Sequence, residues 1–174
     1  MKANEVIDVI REALDDWQIT YDYFSDQSVI RTGFQVDCLL KQANVQIDAR
    51  DSGVNFYIIS PVSVNKEYFK EMREYLSLVN LELQIGSFNI NPADGMIFFK
   101  YTLITYWLNN LPKEAVIEII KTSCDAFCKF GDGIATIASG HSDAETEFSK
   151  AKAAEPSMSK GLAIQGRNFC GIPR

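Results

Sequence analysis

The sequence predicts an α+β fold in which helices pack on an antiparallel β-sheet, in the order helix, three strands, helix, two strands, long helix (αβββαββα). Three observations carry this prediction. Apolar residues recur at helical spacing in three stretches, they alternate at period two in five others, and the strand runs within each hairpin meet at short segments rich in Asp, Ser, Asn and Gly.

The first helix is predicted from Ala3 to about Trp17. Val6, Ile7, Ile10, Ala13, Leu14 and Trp17 form one stripe, and Glu5, Asp8, Arg11, Glu12 and Asp15 lie mostly opposite. After the irregular aromatic stretch QITYDYFSDQS, a half-buried strand is predicted from Val29 to Leu40. It alternates Ile30, Phe34, Val36, Cys38 and Leu40 against Arg31, Gln35 and Asp37. Val45, Ile47 and Ala49, then Val54, Phe56 and Ile58, make the two arms of a hairpin that turns at Asp51-Ser52-Gly53. The helical period returns between Asn65, a cap, and Leu81, with Tyr68, Phe69, Met72, Leu76 and Val79 on one face. Phe88 and Ile90 open a second hairpin. Its return strand alternates Ile97, Phe99, Tyr101 and Leu103 against Met96, Phe98, Lys100 and Thr102. Pro112 suits a first helical position, and the long helix that follows carries Val116, Ile117, Ile120, Cys124, Phe127, Gly131, Ile134, Ala135 and Ala138 on one stripe before Gly140 stops it.

Composition bounds the function. A chain of 174 residues, 47% hydrophobic and 23% charged, suits one ordinary globular core with an appendage. Lys and Arg number 17 against 23 Asp and Glu, and no basic run offers a stripe for phosphates, so nucleic acid is not an expected partner. Glu5 and Asp8 interrupt what a signal peptide would need as an apolar core, and no segment approaches eighteen apolar residues. A cytoplasmic protein with no membrane partner is expected, and Cys38, Cys124, Cys128 and Cys170 are read as free thiols.

The stretch GSFNINPADGMIFFKYTLITYW, Gly86 to Trp107, looks most like a ligand site. An EF-hand loop begun at Asn89 would need oxygen ligands at its first, third and fifth places, glycine at the sixth and a glutamate at the twelfth. The chain supplies Asn89, Asn91, Ala93, Asp94 and Lys100 there, so calcium does not fit. No Walker run occurs either. A turn remains, with Pro92 fixing the backbone and Asp94-Gly95 tolerating positive φ. Cys124 and Cys128 could give half a zinc site, but His141 is the only histidine and no CxxC pair exists. His141 is read as solvated, Gly131 as a close approach of helix to sheet, and Asp15-Asp16 as diverging surface charge. No catalytic residue, cofactor site or metal site is expected.

The segment NKEYFKEMREYLSLVNLELQIGSFNINPADGMIFFKYTL, followed by LPKEAVIEIIKTSCDAFCKFGDGIATIASG, resembles the YbjN family of bacterial sensory transduction regulators. The resemblance rests on a helix ending in Val79-Asn80, then Gly86, the Phe88 strand, the Asp94-Gly95 turn, an aromatic strand and a long helix ending in glycine. It spans roughly residues 3–140. It implies a fold like that of type III secretion chaperones, a tendency to form homodimers, and a non-enzymatic protein-binding role with no catalytic residues. A dedicated secretion chaperone holding an unfolded effector segment is the alternative, and an enzyme of unknown class a further one.

Two expectations concern surfaces. The second face of the return strand carries Met96, Phe98, Ile104 and Tyr106 around Lys100 and Thr102, too apolar for free exposure, and is expected to meet either an element of this chain or a protein partner. Residues 1–140 form the domain and residues 141–174 a peripheral arm. Within the arm, Ser142 and Glu145 suit a capping box, a helix with only Phe148 as a large apolar residue is expected to be exposed, and Leu162, Ile164, Phe169 and Ile172 suit docking on a neighbour.

Overall fold

The computed structural model describes residues 1–154. The elements run α1 (Ala3–Asp16), β1 (Asp22–Phe24), β2 (Val29–Gln35), β3 (Gln42–Arg50), β4 (Gly53–Ser63), α2 (Phe69–Glu82), β5 (Ser87–Ile90), β6 (Met96–Leu103), α3 (Lys113–Ala138) and α4 (Ala144–Ala153). The six strands form one sheet in the order β1-β2-β3-β4-β6-β5, and every neighbouring pair is antiparallel. The architecture is the α+β arrangement expected from the sequence, extended by the short strand β1 and by α4.

Alternation decides which residues enter the core. Val45, Ile58 and Phe99 sit side by side across β3, β4 and β6, and all three are buried. One residue along, Gln46, Tyr57 and Lys100 point to the opposite face. On the covered face α1, α2 and α3 bring Ile10, Leu14, Met72, Ile120 and Phe127 down onto this row. Phe88 is the hub of an aromatic cluster there, with ring centroids 5.2 Å from Phe99, 5.0 Å from Phe127 and 6.4 Å from Phe130, all edge-on.

Several boundaries differ from those the sequence suggests. The strand from Val29 ends at Gln35 rather than Leu40. Beyond it the chain turns, with Lys41 at φ +62° and its amide bonded to the Cys38 carbonyl, while Asp132 of α3 accepts from the Leu39 amide at 2.6 Å. Val36, Cys38 and Leu40 stay buried because this turn folds against α3. Gly131 therefore makes its close approach to Cys38 and Leu40 rather than to the sheet, and a Cβ there would meet the Cys38 sulfur at 2.6 Å. The second helix opens with a 3-10 turn at Lys66–Tyr68 before α2 proper, and Asn65 stands at its start without a side-chain cap bond. Pro112 is the cap of α3 rather than its first residue.

In α4 the cap is Asp143, whose Oδ1 accepts from the Thr146 amide at 2.8 Å, and not Ser142 with Glu145. These hydrogen bonds, the backbone one first, hold the Asp143 carboxyl below its usual range, as a carboxylate at a helix start should be. The helix is not exposed all round: Ala144, Glu147 and Ala151 are buried against α2 and α3. Leu162, Ile164, Phe169 and Ile172 lie outside the described residues.

Candidate functional site: the uncovered face of the sheet

The described helices leave one face of the sheet without cover. Its side chains can be read as rows across the strands. One row runs Asp22, Arg31, Gln46, Tyr57, Lys100, Ser87, and the next runs Gly33, Asn44, Ile59, Phe98, Asn89. The β1–β3 end is polar and charged. Towards β4 and β6 the rows become apolar, with Tyr57, Ile59, Phe98 and Met96 half-buried and none of them part of the core cluster.

Contacts within the patch order it. The Tyr57 and Phe98 rings meet edge-on at 5.9 Å, and the Lys100 ammonium lies 5.6 Å above the Tyr57 ring. Thr102 donates to Asn55 at 2.8 Å across the strand pair. Asn44, Asn89 and Lys100 thus rim an aromatic and aliphatic centre, the arrangement in which a few central side chains carry most of a protein contact.

Of the four residues the sequence groups into an interface, the structure brings Met96 and Phe98 together on this face. Ile104 and Tyr106 do not continue it. β6 ends at Leu103, whose pairing with Val54, the second residue of β4, is the last of that ladder. Past that point Ile104 and Tyr106 belong to the loop before α3, both exposed, and the Tyr106 ring packs on Trp107 at 4.6 Å between centroids. Tyr57 and Ile59 take their place in the patch. Their signal was present in the sequence as the outward positions within and just after the Val54–Ile58 alternation.

The edge next to the patch is protected. Asn80 of α2 donates to the Phe88 carbonyl at 3.0 Å and accepts from the Phe88 amide at 2.8 Å. One side chain thereby occupies both outward backbone groups of Phe88 in the edge strand β5, where another chain could otherwise pair.

The other candidates resolve into structure. In the Asn91–Gly95 turn, Asn91 Oδ1 accepts from the Ala93 amide at 3.1 Å and Asp94 Oδ1 from the Met96 amide at 3.0 Å. Gly95 sits at φ +72°, and its carbonyl accepts from Val64 at 2.9 Å, tying the turn to the end of β4. The oxygens an ion would need are turned onto the backbone. His141 Nδ1 lies 2.8 Å from Ser139 Oγ, yet that hydroxyl also bonds the Ala135 and Thr136 carbonyls of the α3 end, and Asp143 caps α4 instead of orienting the imidazole.

Cys38 and Cys124 are free and buried, and burial pushes the Cys124 thiol up to about 12. Cys128 is disulfide-bonded, which corrects the reading of a free thiol there. Among the described residues no three His, Cys, Asp or Glu side chains gather as a metal site, and no helix is long and apolar enough to cross a membrane. A shallow recess of about 310 Å³ beside β1 and β2 is lined by Asp22, Arg31, Thr32 and Asn44. Arg31 there donates to Gln46 at 3.2 Å and stacks over Phe24, and Thr32 donates to the Thr20 carbonyl at 2.7 Å.

No protein-family model matches the sequence, and no curated protein matches it. Among solved structures, the chain is similar to the crystal structure of YbjN from E. coli, described as a proposed transcription regulator. The TM-score is 0.52 at 13% identity, over 70% of this chain and 85% of that one. The chain has a YbjN-like α+β fold, an antiparallel six-stranded sheet with its helices on one face.

Proposed function

We propose that the chain is a non-enzymatic protein-binding module, a YbjN-like regulatory or chaperone-like protein, that docks a protein partner on the uncovered face of its sheet. The observation that carries this reading is the apolar centre of Tyr57, Ile59, Met96 and Phe98, which the core does not use and which a polar rim surrounds. A face of this kind is stable in water when a second protein covers it, either another copy of the chain or a client. Lys100 at its margin favours a partner that presents an aromatic ring or a carboxylate.

The test is mass spectrometry of what co-purifies with the tagged chain from its own host at native expression. Recovery as a dimer, or with cytoplasmic signalling components, is the result a YbjN-like regulator predicts. One dominant secreted partner at fixed stoichiometry would make the protein a dedicated secretion chaperone. Substrate turnover abolished by one polar substitution would overturn both.

A further inference from the structure

We propose that α4 is a latch, which opens as a unit from the seam between α2 and α3 while the rest of the domain stays folded. Its seat is defined at both ends by polar contacts. The Ala144 amide donates to Glu71 at 2.7 Å, and Lys152 pairs with Glu82 at 3.0 Å. Glu71, Tyr75, Leu78 and Glu82 follow the i, i+4, i+7, i+11 spacing of one helical stripe, so α4 lies along that line of α2.

Between these clasps α4 packs closely on α2 and α3, but through small side chains and a carboxylate. It buries Ala144, Glu147 and Ala151 and part of Phe148, whereas α3 buries Val116, Ile120, Phe127 and Ile134 among others. Alanine removes little apolar area from water, and Glu147 brings a carboxylate into the seam at 5% exposure. Its ion pair is Lys150 at 2.6 Å, a side chain 64% exposed that reaches back over its own helix. Release of α4 returns the carboxylate to water, which offsets part of the loss of the two alanine contacts and of the Phe148 packing.

The surroundings tolerate the opening. α3 closes its own end, with Gly140 at φ +73° donating to Ile137 and His141 donating to Thr136, so it needs nothing from α4. The buried Tyr75 hydroxyl bonds the Phe130 carbonyl at 2.9 Å, a partner it keeps whether or not α4 is seated. Opening uncovers an apolar groove between α2 and α3, and α4 is its built-in occupant.

Amide hydrogen exchange of the full chain, read residue by residue with the Cys128 disulfide intact, tests the latch. The expected result is one common opening constant for the α4 amides from Glu147 onward, faster than that of α3. Glu82→Gln should raise it by up to about fivefold, the range an exposed ion pair allows, and Glu147→Leu should lower it. Exchange of α4 only together with α3, a gradient of protection running from the C-terminal end of α4, or faster opening in Glu147→Leu would overturn the proposal.

Discussion

Both faces of the sheet carry large apolar side chains along β4 and β6, yet the structure uses them differently. On one face Phe56, Ile58, Ile97 and Phe99 are sealed under helices. On the other, Tyr57, Ile59, Met96 and Phe98 interleave with the same residues in sequence and stay outside the core. Hydrophobicity alone therefore does not say what a side chain stabilises. The covered face holds the fold, and the uncovered face is the one on which we propose a partner docks.

This contrast can be broken first at the hub of the covered face. Phe88→Ala removes the ring that joins Phe99, Phe127 and Phe130, and should cost about 3–5 kcal/mol of unfolding free energy in urea. The edge comes next. Asn80→Ala leaves the Phe88 amide and carbonyl without their partners and should cost roughly 1–3 kcal/mol; calorimetry should show the lower melting temperature, and light scattering a greater tendency to self-associate through β5. On the uncovered face, Phe98→Lys should change stability by less than about 1 kcal/mol while weakening association. Thr102→Ala breaks only an exposed hydrogen bond to Asn55 and should stay within about 0.5 kcal/mol of the parent in the same urea titration.

How far each feature could be read from sequence follows the physics that makes it. The β3–β4 hairpin was legible because strict alternation meets a Ser52-Gly53 turn, and both signals are local. β1 was not, since three residues cannot display a period and Asp22–Phe24 become a strand only by pairing with Val29–Arg31. The packing of α4 was hidden because its buried face is two alanines and a glutamate. Tyr75 was passed over on α2 because a tyrosine beside Glu74 reads as amphipathic surface, although its hydroxyl finds Phe130 inside. The placement of Met96 and Phe98 on the face opposite Ile97 and Phe99 was legible, because alternation holds along β6. Ile104 and Tyr106 were misplaced by extending an alternation beyond Leu103, where the neighbouring strand runs out. The Asn80 bridge joins residues eight apart through a side chain, and no periodicity reports such a contact.

The measurement that bears most directly on the division between the faces is sedimentation velocity on the wild-type assembly and on the same preparation carrying Phe98→Lys, with urea unfolding of both. The account predicts a variant that unfolds at nearly the parental midpoint and sediments as the free chain. A folded variant that keeps its dimer or its client would contradict it.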